Sequence, residues 1–205
     1  MGRSTGSRNR KFRQEGAGKI YTEVADPGTA TGNPDLIIYN AMDEIADHDC
    51  FVVSNGRQTD AIVSGSMHDN GLQESLLDYE YEPDEPNFTP RISGIICANP
   101  FTGIQLSLLR KSPFSASCDR SMWSYDHLEG GFGYCLTTYS GDGNPLPAFH
   151  GEPILMPLQG DIDTILKAYW EKLNSDNRVS IAVKFISIDS THTPRSTIKL
   201  HNRFW

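Results

Sequence analysis

The chain has 205 residues, of which 38% are hydrophobic and 21% are charged, and its formal net charge is −8. This length provides enough apolar material for one sizeable domain, and the negative charge argues against nucleic-acid binding over the whole surface. No apolar run approaches the roughly 20 residues that span a bilayer, so no membrane association is predicted.

The predicted elements follow from alternation, turn residues and one helical stripe. Residues 1–19 begin with a turn-rich run that has no hydrophobic period. Strands are predicted at 19–25, 36–39, 50–53, 92–97, 104–109, 133–139, 178–188 and 196–201. Helices are predicted at 71–77 and at 160–174, where Asp161 is the candidate N-cap. Hairpin-like links dominate, which indicates an α+β fold with mainly antiparallel sheets in a single domain, residues 1–205.

The cysteines and histidines show no metal-binding pattern. Cys50, Cys97, Cys118 and Cys135 are scattered, without a C-x-x-C pair. This spacing predicts reduced, partly buried thiols in a cytoplasmic protein rather than a disulfide framework or a zinc site. The six histidines form no H-E-x-x-H or i, i+4 pair. No metal ion is therefore predicted.

The densest group of reactive side chains lies at residues 78–91. Asp78, Glu80, Glu82, Asp84 and Glu85 place five carboxylates within eight residues, and three prolines bias the stretch toward extended backbone. Taken alone, this pattern fits a solvated acidic loop. The alternative is a site in which a cation, a raised carboxylate pKa or a substrate amine offsets the repulsion.

A second candidate site follows the predicted strand at 50–53. Ser54, Asn55, Gly56, Gln58 and Thr59 combine a glycine turn with hydrogen-bonding side chains. Backbone N–H groups and hydroxyls in such a turn can hold a phosphate or a carboxamide. Asn and Gln side chains both donate and accept, as a purine edge requires. An ordinary hairpin turn is the alternative interpretation.

The basic start of the chain and the end of the strand at 36–39 supply further candidates. Arg3, Arg8 and Arg10 offer bidentate donors to a phosphate, but a basic start also fits a solvated tail. Tyr39 and Asn40 end the predicted strand with two hydrogen-bonding side chains. Tyr39 is also compatible with a core or rim position.

Five motifs follow one another along the chain. They are Gly2-Arg-Ser…Ser7-Arg-Asn-Arg10, Ile38-Tyr-Asn40, Val53-Ser-Asn-Gly-x-Gln-Thr-Asp60, Tyr79-Glu-x-x-x-Asp-Glu85 and Asn87-x-Thr-Pro-Arg-Ile92. Together they resemble the archaeal-type IMP cyclohydrolase family. The later run Tyr139-Ser-Gly-Asp-Gly-Asn-Pro-Leu-Pro147 resembles bacterial members of that family.

The resemblance implies a particular fold. It is a four-layer αββα sandwich like that of N-terminal-nucleophile hydrolases, without their nucleophile or self-cleavage. Members of the family usually carry a first strand before the Gly2-Arg-Ser motif. Because the motif begins here at residue 2, we expect either that the start is assigned too late or that the fold lacks this strand.

The resemblance also implies an activity. The family closes 5-formamido-4-imidazolecarboxamide ribonucleotide to IMP with loss of water, the last step of inosinate synthesis. We therefore expect a small purine-nucleotide substrate, no cofactor, no nucleic-acid or membrane partner, a cytoplasmic location and a homo-oligomer. The alternatives are another amide hydrolase on the same fold and a non-catalytic protein that binds purine nucleotides.

The resemblance assigns roles to residues as follows. A carboxylate of the acidic stretch takes the proton of the carboxamide, Tyr39 donates to the formyl oxygen, Asn55 orients the carboxamide and arginines bind the 5′-phosphate. The catalytic candidates are Tyr39, Glu80, Glu82 and Glu85. The substrate-binding candidates are Arg3, Arg8, Arg10, Asn40, Asn55, Gly56, Gln58, Thr59, Asp60, Asp84, Asn87, Thr89 and Arg91.

Overall fold

The computed structural model describes residue 2 and residues 4–30, 33–68, 71–98, 101–188 and 193–204. Its strands are β1 (Arg10–Glu15), β2 (Lys19–Val24), β3 (Asn40–Ile45), β4 (Cys50–Ser54), β5 (Arg91–Ala98), β6 (Phe101–Lys111), β7 (Cys118–Tyr125), β8 (Phe132–Cys135), β9 (Ile154–Pro157), β10 (Ser180–Ile188) and β11 (Pro194–Asn202). Its α-helices are α1 (Thr5–Arg8), α2 (Gln58–Ser66), α3 (Leu72–Ser75) and α4 (Ile162–Lys172).

The first seven strands form one sheet in sequence order, from β1 to β7, and neighbouring strands are antiparallel. Two antiparallel ribbons follow, β8 with β9 and β10 with β11. The predicted α+β fold with mainly antiparallel sheets is thereby confirmed. Among the described residues, none of the helices has the length and hydrophobicity of a membrane-spanning segment.

One face of the seven-stranded sheet packs against α2 and α3. Ile45, Val52 and Leu109 of the strands form a buried cluster with Ile62 of α2 and with Leu76, which follows α3. Burial of each such side chain contributes roughly 1.5–3 kcal/mol before conformational entropy is subtracted. This cluster fixes α2 on the sheet and thereby fixes the connection between β4 and α2.

The other face of the sheet packs against the ribbon of β10 and β11. Glu44 and Phe51 are cross-strand partners on this face. Lys184 of β10 places its Nζ atom 2.6 Å from Oε1 of Glu44 and 5.0 Å from the centroid of the Phe51 ring. Helix α4 contacts the same ribbon, and Lys199 of β11 forms an ion pair with Asp163 of α4 at 2.5 Å.

Several predicted elements are present. The helix predicted at 160–174 is α4, and the side chain of Asp161 caps it by accepting the backbone N–H of Thr164 at 2.8 Å. The strands predicted at 19–25, 50–53, 92–97, 104–109, 178–188 and 196–201 correspond to β2, β4, β5, β6, β10 and β11. The strand predicted at 133–139 is shorter and ends at Cys135.

The strand predicted at 36–39 is wrong. A 3₁₀ turn occupies Pro34–Leu36, and the side chain of Asn33 caps it by accepting the N–H of Asp35 at 3.0 Å. Strand β3 begins only at Asn40. The hairpin-turn interpretation of Ser54–Gly56 is also wrong, because this turn leads into α2. Strands β1 and β7 and helix α2 lacked a clear period in the sequence.

The prediction of four reduced thiols is wrong for Cys50 and Cys97, which form a disulfide. Antiparallel pairing of β4 with β5 places these two residues directly opposite each other. Their separation of 47 residues gave no sign of this pairing. Cys118 and Cys135 are free thiols, and burial raises the pKa of each.

Candidate active site

A cavity of about 590 Å³ lies where the start of the chain, the acidic stretch and the segment at 138–146 meet. The predicted site residues that line it are Arg10, Tyr39, Asn55, Glu82, Asp84, Asn87 and Thr89. Its lining carries both signs of charge, since Lys11 lies beside Arg10 while Glu82 and Asp84 are acidic. The cavity therefore presents both cationic and carboxylate side chains to one ligand.

Glu82 is a buried carboxyl in this lining, with 6% of its surface exposed. Burial raises the pKa of Glu82 from 4.5 to about 7; the positive charges of Arg91 and Arg10 oppose the rise, and the negative charge of Asp84 adds to it. A carboxyl with this pKa accepts and releases a proton near neutral pH, as general acid–base catalysis requires.

Arg91 is held behind Glu82 by several contacts. Its Nη1 atom lies 3.3 Å from Oε1 of Glu82 and 3.0 Å from Oε1 of Gln58. Its Nε atom donates to the backbone carbonyl of Glu80 at 2.9 Å, and its guanidinium lies 5.8 Å from the Tyr79 ring centroid. Arg91 is not among the residues that line the cavity. Its charge therefore acts on Glu82 from inside the protein.

The turn between β4 and α2 fits closely against this ion pair. A Cβ atom on Gly56 would lie 2.4 Å from Nη1 of Arg91 and 3.3 Å from Oε1 of Glu82, so a side chain here would displace the guanidinium of Arg91. Gln58 and Thr59 are fully buried, and Thr59 Oγ1 lies 2.5 Å from Oγ of Ser54. Gln58 also contacts Asn55 of the cavity lining, since its Nε2 atom donates to Oδ1 of Asn55 at 3.1 Å.

Asn55 joins three segments at the cavity. Its Oδ1 atom accepts the N–H of Ile92 at 2.9 Å, and its Nδ2 atom donates to the carbonyl of Pro90 at 2.8 Å. Nδ2 also lies 3.2 Å from Oγ1 of Thr138. Asn55 thus fixes the start of β5 and the segment at 138–146 relative to the turn after β4.

The opposite part of the lining contains Arg10 and Tyr39. Nη1 of Arg10 donates to the hydroxyl oxygen of Tyr39 at 3.2 Å, and Nε of Arg10 donates to the carbonyl of Ser7 at 3.1 Å. Because Arg10 acts only as a donor, the Tyr39 hydroxyl proton is available for another acceptor. Nearby, Nζ of Lys11 lies 3.2 Å from Oε1 of Glu23.

Other predicted site residues lie away from the cavity lining. Glu80, Glu85 and Asp60 are exposed, and Asp60 accepts a hydrogen bond from Asn40 at 2.5 Å. Arg8 points to Asn177, to whose Oδ1 atom its Nη2 donates at 2.7 Å. Arg3 lies outside the described residues.

Several lining residues were not among the predicted site residues. Thr138 and Tyr139 lie in the strand predicted at 133–139, and Tyr139 also begins the run that resembles bacterial members of the family. Lys11 and Thr22 also line the cavity, but no local motif marked them. Among the described residues, no group of three or more His, Cys, Asp or Glu side chains is placed to hold a metal ion.

A family model described as IMP cyclohydrolase-like protein matches residues 1–191. The chain belongs to this family. A search of curated proteins finds no match. The matched region includes every residue that is named above as lining the cavity. The resemblance to the IMP cyclohydrolase family that the motifs indicate is thereby confirmed.

Proposed function

We propose that this protein is an IMP cyclohydrolase, which closes 5-formamido-4-imidazolecarboxamide ribonucleotide to IMP and water in purine biosynthesis. The observation that carries the proposal is a buried carboxyl, Glu82, whose pKa is about 7 in a cavity that also presents Arg10 and Tyr39. Membership in an IMP cyclohydrolase-like family gives this acid–base group a specific reaction.

In the proposed mechanism, Glu82 transfers the protons. The carboxamide nitrogen attacks the formyl carbon and gives a proton to the ionised Glu82, which passes it to the formyl oxygen and so forms a hydroxyl. Glu82, ionised again, takes the proton of the former formamido nitrogen and gives it to this hydroxyl, which leaves as water. Holding both groups of one substrate in contact removes the entropy cost of a bimolecular encounter.

Arg10 and Tyr39 have separate roles in the proposal. The Tyr39 hydroxyl accepts from Arg10, so its own proton is directed to the formyl oxygen, where negative charge develops. The guanidinium of Arg10, together with Lys11, attracts the 5′-phosphate. Of the predicted catalytic carboxylates, Glu80 and Glu85 are exposed and Glu82 is buried, so we assign proton transfer to Glu82.

We also propose that the layers follow the αββα order of N-terminal-nucleophile hydrolases. Three contacts support this order. Helix α2 packs on one face of the large sheet, the ribbon of β10 and β11 packs on the other face through Lys184, and α4 packs on the ribbon through Lys199. Lys184 and Lys199 lie on opposite faces of the ribbon, because Lys184 pairs with Ile198 and Lys199 pairs with Val183.

The proposal extends to location and assembly. A substrate of purine biosynthesis fits the cytoplasm, although the Cys50–Cys97 disulfide removes the argument from reduced thiols. We propose a homo-oligomer with a small nucleotide as its ligand. Light scattering of the purified protein tests the assembly, and a monomeric mass at micromolar concentration contradicts it.

The decisive experiment follows IMP formation by absorbance with the formamido ribonucleotide as substrate. We expect turnover by the wild type and by Glu74→Gln, which alters an exposed carboxylate of α3, and loss of turnover in Glu82→Gln. No IMP formation by a folded wild-type protein would sink the proposal. Binding of IMP without turnover would favour a nucleotide-binding protein, and turnover of amides that lack a phosphate would favour an amide hydrolase.

A further inference from the structure

A chain of hydrogen bonds runs from Asp84 to the cavity. The carboxylate of Asp84 accepts the backbone N–H of Thr89 at 2.6 Å through Oδ1, and its Oδ2 accepts the hydroxyl proton of Thr89. The Oγ1 atom of Thr89 in turn lies 2.7 Å from the hydroxyl oxygen of Tyr139. All three residues line the cavity.

The direction of this chain follows from counting protons. An ionised carboxylate only accepts, and a threonine hydroxyl carries one proton. Because the Thr89 proton is donated to Asp84, the hydrogen bond between Thr89 and Tyr139 requires the tyrosine hydroxyl as its donor. The phenolic oxygen of Tyr139 consequently has its proton directed away from any ligand, and it meets a ligand as an acceptor.

The loop that carries Thr89 is fixed in place. Phe88 adopts a φ of 44°, a left-handed conformation that is uncommon for a non-glycine residue. The ring of Phe88 is held between Lys111, whose Nζ atom lies 4.6 Å from its centroid, and Tyr81, whose ring centroid lies 5.6 Å away. The backbone N–H of Glu82 donates to the carbonyl of Thr89 at 2.9 Å.

The segment that carries Tyr139 is fixed to the same wall. Oδ1 of Asn87 accepts the N–H of Leu146 at 3.2 Å, and Thr138 contacts Asn55. Tyr139 itself forms an antiparallel bridge with Ala148. The Tyr139 oxygen is therefore set in a defined position and with a defined polarity, as selective recognition of a donor requires.

We propose that Tyr139 is a substrate-binding residue that accepts a hydrogen bond from an N–H or O–H of the nucleotide, and that Asp84 and Thr89 are positioning residues that set this polarity. The proposal rests on the proposed function for the identity of the ligand. It adds a residue outside the motifs at 78–91 and 52–60, and it gives Asp84 a role distinct from that of Glu82.

The test measures IMP affinity by calorimetry. We expect Tyr139→Phe to weaken binding about tenfold, the typical effect of one lost hydrogen bond. Thr89→Val should weaken binding similarly, because Tyr139 loses its acceptor, whereas Thr89→Ser keeps the hydroxyl and the affinity. A circular-dichroism melt of each variant verifies that it is folded.

Asp84→Asn tests the polarity of the chain in a way that a purely structural role of Asp84 would not affect. The amide of this variant can donate to the hydroxyl oxygen of Thr89. The Thr89 hydroxyl would then donate to the Tyr139 oxygen, and the hydroxyl proton of Tyr139 would point to the cavity. Tyr139→Phe should therefore weaken IMP binding less in the Asp84→Asn background than in the wild type. Additive effects of the two substitutions would contradict the proposed polarity.

Modified nucleotides identify the donor. If Tyr139 accepts from N1–H of the base, N1-methyl-IMP, which lacks this donor, should bind wild type and Tyr139→Phe equally. If Tyr139 accepts from the 2′-hydroxyl of the ribose, 2′-deoxy-IMP should bind the two proteins equally. Equal IMP affinity of wild type and folded Tyr139→Phe overturns the inference, and absence of IMP binding by wild type overturns both proposals. A Tyr139-dependent IMP affinity without turnover of the formamido ribonucleotide contradicts the proposed enzyme activity alone.

Discussion

Two carboxylates of this protein each face a cation inside the fold, and their pKa values move in opposite directions. Glu82 faces Arg91 at the cavity, and its pKa rises to about 7. Glu44 faces Lys184 between the sheet and the β10–β11 ribbon. Although burial raises the pKa of Glu44, hydrogen bonds from Lys184 and Ser196 bring it below the usual value.

The two environments differ in distance, exposure and neighbours. Glu44 accepts from Lys184 at 2.6 Å and from Ser196 at 2.5 Å, and 29% of its side chain is exposed. Glu82 lies 3.3 Å from Arg91, has 8% of its side chain exposed and has the negative Asp84 nearby. A cationic neighbour alone therefore does not keep a carboxyl ionised. The pair at Glu44 joins two layers, and the pair at Glu82 is suited to proton transfer.

The largest expected effect concerns catalysis. Glu82→Gln should lower the turnover number for IMP formation by about 10²–10⁴-fold, the typical cost of losing a general acid–base group, with little change in IMP affinity. Glu44→Gln is the matched control and should retain turnover at a temperature where it is folded. Equal losses in both variants would break the distinction between the two sites.

The next effect concerns the pH dependence of stability. The folded pKa of Glu82 lies above its unfolded value of 4.5, so the wild type loses stability relative to Glu82→Gln as pH rises from about 4.5 to 7. The expected change is about 3 kcal/mol in the free energy of unfolding. Urea titrations of both proteins from pH 4 to 8 measure it, and parallel curves would contradict the raised pKa.

Glu44→Gln should have the opposite pH signature. Its depressed pKa stabilises the fold above about pH 4.5, and this contribution is lost as pH falls through the folded pKa. At pH 7 the substitution should lower the free energy of unfolding by about 1–3 kcal/mol, less than for a fully buried pair because Glu44 is partly exposed. The wild type and the variant should converge in stability as pH falls below the folded pKa of Glu44, as the same titrations will reveal.

The smallest effect separates the hydrogen bond from the charge. Ser196→Ala removes one donor to Glu44 and leaves Lys184 in place. We expect a loss of about 1 kcal/mol in the free energy of unfolding at pH 7, measured by urea denaturation. Ser187→Ala, on an exposed part of the same ribbon, is the control and should change stability less.

Local patterns predicted part of the fold and of the candidate site. Alternation located β2 and β10, strand-like runs bounded by turn residues located β4, β5, β6 and β11, and the apolar stripe with Asp161 located α4. The motifs directed attention to Tyr39, Glu82 and Thr89, which line one cavity. These features depend on residues close together in sequence, so short windows of the chain contain the necessary information.

Features that depend on distant pairing were not predictable in this way. Tyr139 reaches Thr89 across 50 residues. Cys97 meets Cys50 only because β4 and β5 are neighbours. Arg91 was a candidate for phosphate binding, but its position in the fold makes it the partner of Glu82. The register of strands and the burial of individual side chains decide each of these contacts.

The disulfide has a covalent consequence for the cavity. The loop closed by Cys50 and Cys97 contains Gly56, Glu82 and Arg91. A protease that cuts once inside this loop leaves the two fragments joined until a reductant is added. In the chain-entropy model, a cross-link over about 47 residues stabilises the fold by about 4 kcal/mol through the unfolded state. After such a cut, Gly56 and the segment from Glu82 to Arg91 thus remain covalently linked even when the fold opens.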